Sequence, residues 1–405
     1  MQQKELLNIK NPIWQNYLPI IDEVKLDNIP ISIWDIPFTI HQLSYLTHSH
    51  FRYYGKFPSV VAGQIIDSYY TKGSKRPIFD NFCGSGTTLV ESSLRGIPSY
   101  GIDVSWLSVM VSNVKTNHID IKKTLNILDK ICSNYFPILN SILSKKEEKW
   151  FEVSTVMGLK SIQNQLLNFS TSLEVKFLIC AFLTIIRRTS RAFDCEVRPH
   201  INKGKKFRDP LDAFSKKVRK MLRDQLEYQS FTSPSLQHKC FLGSAENASK
   251  VYNNEPPVLI ISHPPYLNVF NYAPVFSLEY LWGKLFEKKF VDKTNFYKEE
   301  IIAYPANKKN VDRYFNLLRL AYKESYKMQL KGDILTIVIG DCTRNKKLIP
   351  VIDTLKNIVS EIGYTPIGIN YRTTHYGTGK YAYNNRSDYH NNINSKKDGV
   401  LVFRK

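Results

Sequence analysis

Cysteine is scarce and scattered in this chain. Its six thiols, at 83, 132, 180, 195, 240 and 342, include no C-x-x-C pair. That excludes the common ligand spacing of a zinc site and the dense framework of a disulfide-stapled domain. No metal is expected, and a reducing, cytoplasmic setting fits. Long apolar runs are missing too. The longest, residues 177–186, is far shorter than a membrane span and ends at Arg187-Arg188; it reads as a buried helix, and no membrane partner is expected. The opening MQQKELLNIK has none of the apolar core of a secretion signal. Acidic residues are outnumbered, with 36 Asp and Glu against 56 Lys and Arg for a net charge of +20. Such an excess predicts a polyanionic partner, because cations that neutralise phosphates release counterions. Lys-rich, Asn-rich composition accounts for part of it. Hydrophobic residues, in contrast, are plentiful: 43% of 405 residues, with 13% aromatic, exclude global disorder. The length suits one large domain with an insertion, or two domains sharing a core.

Hydrophobic periodicity predicts a helix over 59–70. A short apolar strand at 77–82 then runs into a glycine-containing loop, a helix over 87–95 stops at Gly96, and a second strand at 99–104 carries Asp103. This strand–loop–helix–strand unit is of the parallel nucleotide-binding kind. Residues 1–50 read as irregular or mixed, and 120–235 as mostly helical. Downstream, PVLIIS at 257–262 and DILTIVIG at 333–340 are continuous apolar runs, as expected of buried parallel strands. Between them, 311–330 predicts an amphipathic helix with Val311, Tyr314, Phe315, Leu318, Tyr322 and Tyr326 on one face. Segments 365–373 and 400–403 are expected to pair as a closing antiparallel edge. The expectation is an α/β, Rossmann-like sheet with a large helical insertion. Residues 1–118 would hold the N-terminal segment and cofactor-binding half, 119–238 the insertion, and 239–405 the catalytic half.

The most informative string is Phe79-Asp80-Asn81-Phe82-Cys83-Gly84-Ser85-Gly86-Thr87-Thr88. Glycines at a strand end let the backbone turn tightly and approach a ligand, and the next helix offers free N–H groups at its N-terminus. Asp80 at the strand tip suits a ligand ammonium group, and Asp103 at the next strand end suits a ribose diol. A G-x-G loop alone is often only a turn, and strand-end Asp is common for turn reasons; the full string is what is specific. It resembles the D-P-F-x-G-S-G-T-T motif of DNA methyltransferases that modify amino groups, with Asn81 where that family usually has Pro. The resemblance implies a methyltransferase sheet with S-adenosyl-L-methionine as cofactor, bound by Asp80, Phe82, Cys83, Gly84, Ser85, Gly86, Thr87, Thr88 and Asp103. The stretch His50-Phe51-Arg52-Tyr53-Tyr54-Gly55-Lys56-Phe57-Pro58 resembles a segment that covers the methionine end of the cofactor in some of these enzymes. It implies Tyr54, Lys56 and Phe57; taken alone it reads equally as a basic aromatic surface turn. Gly243-Ser244-Ala245-Glu246 resembles the adenine-contacting position, with Ser244 where Asp is common, and Gly340-Asp341 resembles a further strand-end element or a plain turn.

After the strand at 257–262 comes His263-Pro264-Pro265-Tyr266, similar to the S/D/N-P-P-Y loop of the same family. The chemistry behind that loop is physical. The lone pair of an exocyclic base amine is delocalised into the ring, so the amine is a poor nucleophile. Two hydrogen-bond acceptors, the first side chain and the first proline's carbonyl, push it toward tetrahedral geometry. Prolines stiffen the loop, and the aromatic residue stacks on a base that has left the helix. Transfer is then direct and needs no cysteine nucleophile. A neutral His263 accepts through one ring nitrogen and a protonated one does not. Three readings follow: His263 replaces the usual acceptor, which we favour; Ser262 does so in a shifted loop; or catalysis is impaired. The following Asn268-Val269-Phe270-Asn271-Tyr272 also resembles the family.

A basic block at 187–223 includes Arg187, Arg188, Arg198, Lys203, Lys205, Lys206 and Arg208, the expected nucleic-acid contacts. A second lies at 284–327, with Lys288, Lys289, Lys308, Lys309 and Arg313; Arg372, Lys380 and Arg386 lie either opposite or beside the catalytic face. The resemblance implies site-specific methylation of double-stranded DNA, leaning to cytosine N4 with adenine N6 close behind, and a cognate restriction endonuclease as partner. The cofactor string precedes the catalytic loop here, the reverse of many FCGSGTT enzymes. The rivals are a tRNA amino-methyltransferase, an inactive DNA-binding homologue and, less favoured, a protein glutamine methyltransferase.

Overall fold

The computed structural model describes residues 15, 18, 20–26, 29–34, 36, 38, 39, 41–138, 142–269, 271–290, 300, 301, 304–345, 347–372 and 398–405. Phe270, Lys380 and Arg386, singled out above, lie outside them. In chain order the strands are β1 (Ile20–Leu26), β2 (Ile29–Trp34), β3 (Ile78–Asp80), β4 (Ser99–Asp103), β5 (His238–Leu242), β6 (Leu259–Ser262), β7 (Ile334–Gly340), β8 (Cys342–Arg344), β9 (Lys347–Ile349), β10 (Thr365–Arg372) and β11 (Asp398–Arg404). The helices around the first half are α1 (Ser59–Tyr69), α2 (Thr87–Leu94) and α3 (Trp106–Thr116). A helical block follows: α4 (Ile121–Ser133), α5 (Lys145–Trp150), α6 (Val153–Asn168), α7 (Leu173–Thr189) and α8 (Pro210–Phe231). The second half adds α9 (Ala248–Val251), α10 (Tyr272–Val275), α11 (Ser277–Phe290), α12 (Lys308–Met328) and α13 (Val351–Ile362).

One sheet runs in the order β1-β2-β10-β11-β7-β6-β3-β4-β5. From β7 through β5 every pairing is parallel, and β11 is antiparallel to both of its neighbours. This is the expected Rossmann-like α/β architecture. Its central strands read as unbroken apolar runs because both faces are covered. Phe79 and Ile260 pack on one face with Tyr314, Leu318 and Tyr322 of α12. Ile78, Leu259 and Ile261 pack on the other with Val61 and Ile65 of α1. Each fully buried aliphatic side chain contributes roughly 1.5–3 kcal/mol. The helical block has its own core, in which Phe177, Leu178 and Phe182 of α7 meet Met110 and Val114 of α3 and Trp282 of α11.

One expectation needs correction. β10 and β11 do pair antiparallel, but they are not the edge: β10 also pairs in parallel with β2, and β1 closes the sheet beyond it. Within the 1–50 segment, read as irregular or mixed, Ile31, Ile33 and Trp34 bury their side chains from β2, past its Pro30.

Chain order reverses direction between β3 and β6. The crevice at the carboxyl ends of the strands beside such a switch is where open α/β sheets bind ligands, and both specific strings, 79–88 and 263–266, leave the sheet there.

Candidate functional site

The loop after β3 is shaped by two glycines. Gly84 has φ +50° and Gly86, at the N-cap of α2, has φ +75°. A Cβ on Gly86 would lie 2.9 Å from Ser112 of α3, so only glycine allows these helices to pack this closely. Ser112 Oγ donates to the Gly84 carbonyl at 2.9 Å, and the buried Lys115 Nζ donates to the Ser85 carbonyl at 2.8 Å. Burial pushes the Lys115 pKa down to about 7.

This loop forms one wall of a cleft of about 880 Å³, counted with its open mouth. Asp80 lies at its floor, 2% exposed. Its carboxylate accepts from Thr88 Oγ1 and from the Phe82 N–H, and burial raises its pKa to about 7. Asp103 accepts from the N–H groups of Gly84 (2.8 Å) and Ser105 (2.9 Å), and burial raises it to about 6. Two carboxylates held out of water at one cleft favour a cationic or hydroxyl-rich ligand. Beside them, the hydroxyls of Ser85 and Thr87 are buried without a hydrogen-bond partner among the described residues. They line the cleft at the start of α2, where backbone N–H groups and the helix dipole favour an anion. A zwitterionic amino-acid moiety fits this pairing of anionic floor and donor-rich rim. Phe82, Cys83, Gly84, Lys56, Phe57 and Ser244 also line the cleft, whereas Gly86 and Thr88 shape it from behind.

Tyr54 is not in it. Its hydroxyl donates to the Glu196 carbonyl and accepts from Arg187, so its ring tethers the loop after α7; Tyr53, one residue earlier, lines the cleft instead. The aromatic pair was legible in sequence, but which member faces the ligand was not.

A second pocket adjoins the first through Gly55, Lys56, His263 and Tyr272, which line both. Its remaining walls are Pro58, Tyr266, Val269, Arg372 and Asp398. Phe57 stacks on the His263 ring at 4.9 Å and 10° between planes, and the Tyr266 ring centre is 5.3 Å from it. Burial, with the Arg372 charge adding to it, pushes the His263 pKa down to about 3. The imidazole is therefore neutral and keeps an acceptor nitrogen at neutral pH. Ser262 is fully buried within hydrogen-bond reach of Tyr322, at 3.2 Å, and lines neither pocket, which disfavours the shifted-loop reading. Pro264 is buried, while Pro265 lines the first cleft and accepts at its carbonyl from Tyr314 at 2.8 Å. Asn268 donates to the Thr343 carbonyl and accepts from the Ala306 N–H, and Asn271 bonds the backbone of Tyr304 in both directions. These asparagines brace the loop. Asp341 caps α13 through the Ile352 N–H and has a structural role there.

Glu300 was missed in the sequence. It accepts from the N–H groups of Tyr272 and Ala273 at the start of α10 and lines the first cleft. Nothing local marks it, because its partner segment lies far away in the chain.

The basic block divides in two. Arg188, Arg198, Lys203, Lys206 and Arg208 are exposed, Arg198 over the Tyr304 ring at 5.4 Å and Arg208 paired with Asp194 at 3.2 Å. Arg187 and Lys205 need correction as nucleic-acid contacts. Arg187 is 4% exposed and donates to Tyr54 and to the carbonyls of Glu196, Val197 and Val275. Lys205 donates to the carbonyls of Arg187 and Ala192 and pairs with Asp194. Burial keeps Arg187 from phosphate, and all three N–H groups of Lys205 go to internal acceptors. Among the described residues no group of His, Cys, Asp and Glu could hold a metal, and no helix is long and apolar enough to cross a membrane.

No protein-family model matches the chain. Among curated proteins it is similar to the Type II methyltransferase M.MvaI of Kocuria varians, 26% identical over 38% of this chain and 36% of that protein. It is similar to the Type II methyltransferase M.MjaII of Methanocaldococcus jannaschii, 33% identical over 31% and 22%. It is similar also to the Type II methyltransferase M.BsoBI of Geobacillus stearothermophilus, 24% identical over 67% and 61%. The matched stretches thus span from 22% to 61% of these relatives' lengths. Among solved structures, the DNA modification methylase homologue TTHA0409 of Thermus thermophilus, complexed with S-adenosyl-L-methionine, is 13% identical over 40% of this chain and 53% of that one, with a TM-score of 0.25. Sequence similarity to Type II methyltransferases is what these comparisons establish.

Proposed function

We propose that this chain is an S-adenosyl-L-methionine-dependent DNA methyltransferase that acts on the exocyclic amine of a base turned out of the duplex, with cytosine N4 as the preferred target. The observation that carries the reading is the meeting of two pockets at one neutral histidine: an acid-floored, donor-rimmed cleft and an aromatic-walled pocket share His263. The names of the three curated relatives support the methyltransferase class.

In this reading Asp80 holds the ammonium group of the cofactor, Ser85 and Thr87 with the start of α2 hold its carboxylate, and Asp103 and Ser244 face the nucleoside. When bound, S-adenosyl-L-methionine would supply an electrophilic methyl group on its sulfonium. Tyr266 stacks on the base. His263 accepts a hydrogen bond from the amine, concentrates its lone pair, and takes the proton that the amine sheds on alkylation. Phe57, stacked on the imidazole, fixes its plane and excludes water. Double-stranded DNA runs over the exposed cations Arg188, Arg198, Lys203, Lys206 and Arg208. A cognate restriction endonuclease is the expected partner in the cell.

The test is incubation with labelled S-adenosyl-L-methionine and unmethylated DNA, with tRNA in parallel, followed by digestion and mass spectrometry of the nucleosides. N4-methylcytosine is expected. N6-methyladenine would change the target base, label in tRNA alone would move the protein to RNA, and label in neither would defeat the assignment.

A further inference from the structure

The second pocket has a wall that the reaction described above does not use. β10 ends at Arg372 and β11 begins at Asp398, neighbours across an antiparallel pair whose adjacent register partners are Tyr371 and Gly399. The Arg372 side chain is 3% exposed. Its Nε donates to Asp398 Oδ1 at 3.0 Å, and its Nη2 donates to the same oxygen and to the Tyr266 hydroxyl, at 2.8 Å. The Tyr266 hydroxyl in turn donates to Asp398 Oδ1 at 3.2 Å. Three side chains from two distant parts of the chain thus close one ring of hydrogen bonds around a phenol. A guanidinium buried this deeply is costly unless paired and bonded, and its forked donors meet that cost by engaging Asp398 and Tyr266 together.

We propose that Arg372, clamped by Asp398, is a positioning residue that anchors the Tyr266 ring beside His263 and so sets where the base stacks. The inference rests on the methyl-transfer reading. A phenol free at its hydroxyl can swing about Cα–Cβ to another rotamer, whereas one whose hydroxyl is held by both a cation and an anion keeps its ring in one place, since only the turn about Cβ–Cγ leaves that oxygen unmoved. The same guanidinium lies near enough to His263 to oppose its protonation, in a pocket whose other charged walls are Lys56 and Asp398.

The test has two arms. In protein labelled with carbon-13 at tyrosine and histidine rings, the Tyr266 resonances, assigned with Tyr266→Phe, are expected to shift in Arg372→Gln and in Asp398→Asn. The His263 ring is expected to titrate at higher pH in Arg372→Gln and near the wild-type value in Arg372→Lys, which keeps the charge but loses the fork. In kinetics, Arg372→Gln is expected to lower kcat about tenfold with KM for the cofactor unchanged, and Tyr266→Phe/Arg372→Gln to be no slower than the slower single variant. Unchanged Tyr266 resonances in both variants, or kinetic losses that simply multiply, would overturn the proposal. Absence of methyl transfer by the wild-type protein defeats the reading it rests on, while the resonance arm still decides whether Arg372 orders Tyr266.

Discussion

The cleft above β3 and the pocket beyond His263 touch, yet they are built in opposite ways. The cleft takes its floor and donor-bearing rim from the single run 79–88, through Asp80, Ser85 and Thr87, with Asp103 one strand away. The pocket takes its walls from 55–58, 263–272, Arg372 and Asp398, which come together only when the sheet closes. A ligand held mostly by backbone and helix-end geometry can be served by one short string. A substrate that must be gripped at its face, its edge and its amine needs side chains from several directions. The first arrangement is legible as one motif; of the second, His263 and Tyr266 are legible in the loop 263–266, and Arg372 and Asp398 join them only through the fold.

Asp80→Ala breaks the comparison on the cleft side and carries the largest expected effect. Losing a buried charged acceptor should weaken S-adenosyl-L-methionine binding by about two orders of magnitude by calorimetry; wild-type affinity would remove Asp80 from the site. Gly86→Ala comes next. With φ +75° and Ser112 at 2.9 Å, the added methyl should destabilise the fold by about 2–3 kcal/mol in denaturant unfolding. Tyr266→Ala tests the pocket side: cofactor affinity stays unchanged while turnover falls roughly tenfold or more, the worth of one stacked base.

Acidity sharpens the contrast. Asp80, with a pKa raised to about 7, keeps its proton in the folded protein where the unfolded chain has released it. That contribution therefore stabilises the ligand-free fold at low pH and is lost as pH rises toward 7. Melting should be higher at about pH 5 than at about pH 8 by a margin that Asp80→Asn shrinks. Cofactor affinity should move the other way, strengthening as Asp80 ionises, because the ammonium group needs the carboxylate. The smallest expected effect is at the surface. Lys203→Ala should leave cofactor binding intact and reduce the salt dependence of DNA binding by about one unit of slope.

Much of the fold was readable because the central strands bury both faces and carry no polar interruptions: 257–262 and 333–340 announce β6 and β7 within a residue or two. β2 was hidden, since Pro30, its second residue, reads as a breaker, although it lies before the β2–β10 ladder begins at Ile31. In the site, the string around Gly84 showed itself through residues whose types are fixed by backbone shape. Arg187 misled because a cation in a basic block looks like a phosphate contact until it is seen buried, with both terminal nitrogens bonded to carbonyls and Tyr54. Arg372, left open between two faces, proved to line the pocket beside His263.

In the proposed reaction both pockets act on one amine at His263. The most direct measurement is single-turnover methyl transfer to unmethylated DNA by His263→Ala, with cofactor binding measured on the same preparation. Intact cofactor affinity with transfer slowed about a hundredfold is the predicted result. Transfer at the wild-type rate would contradict it.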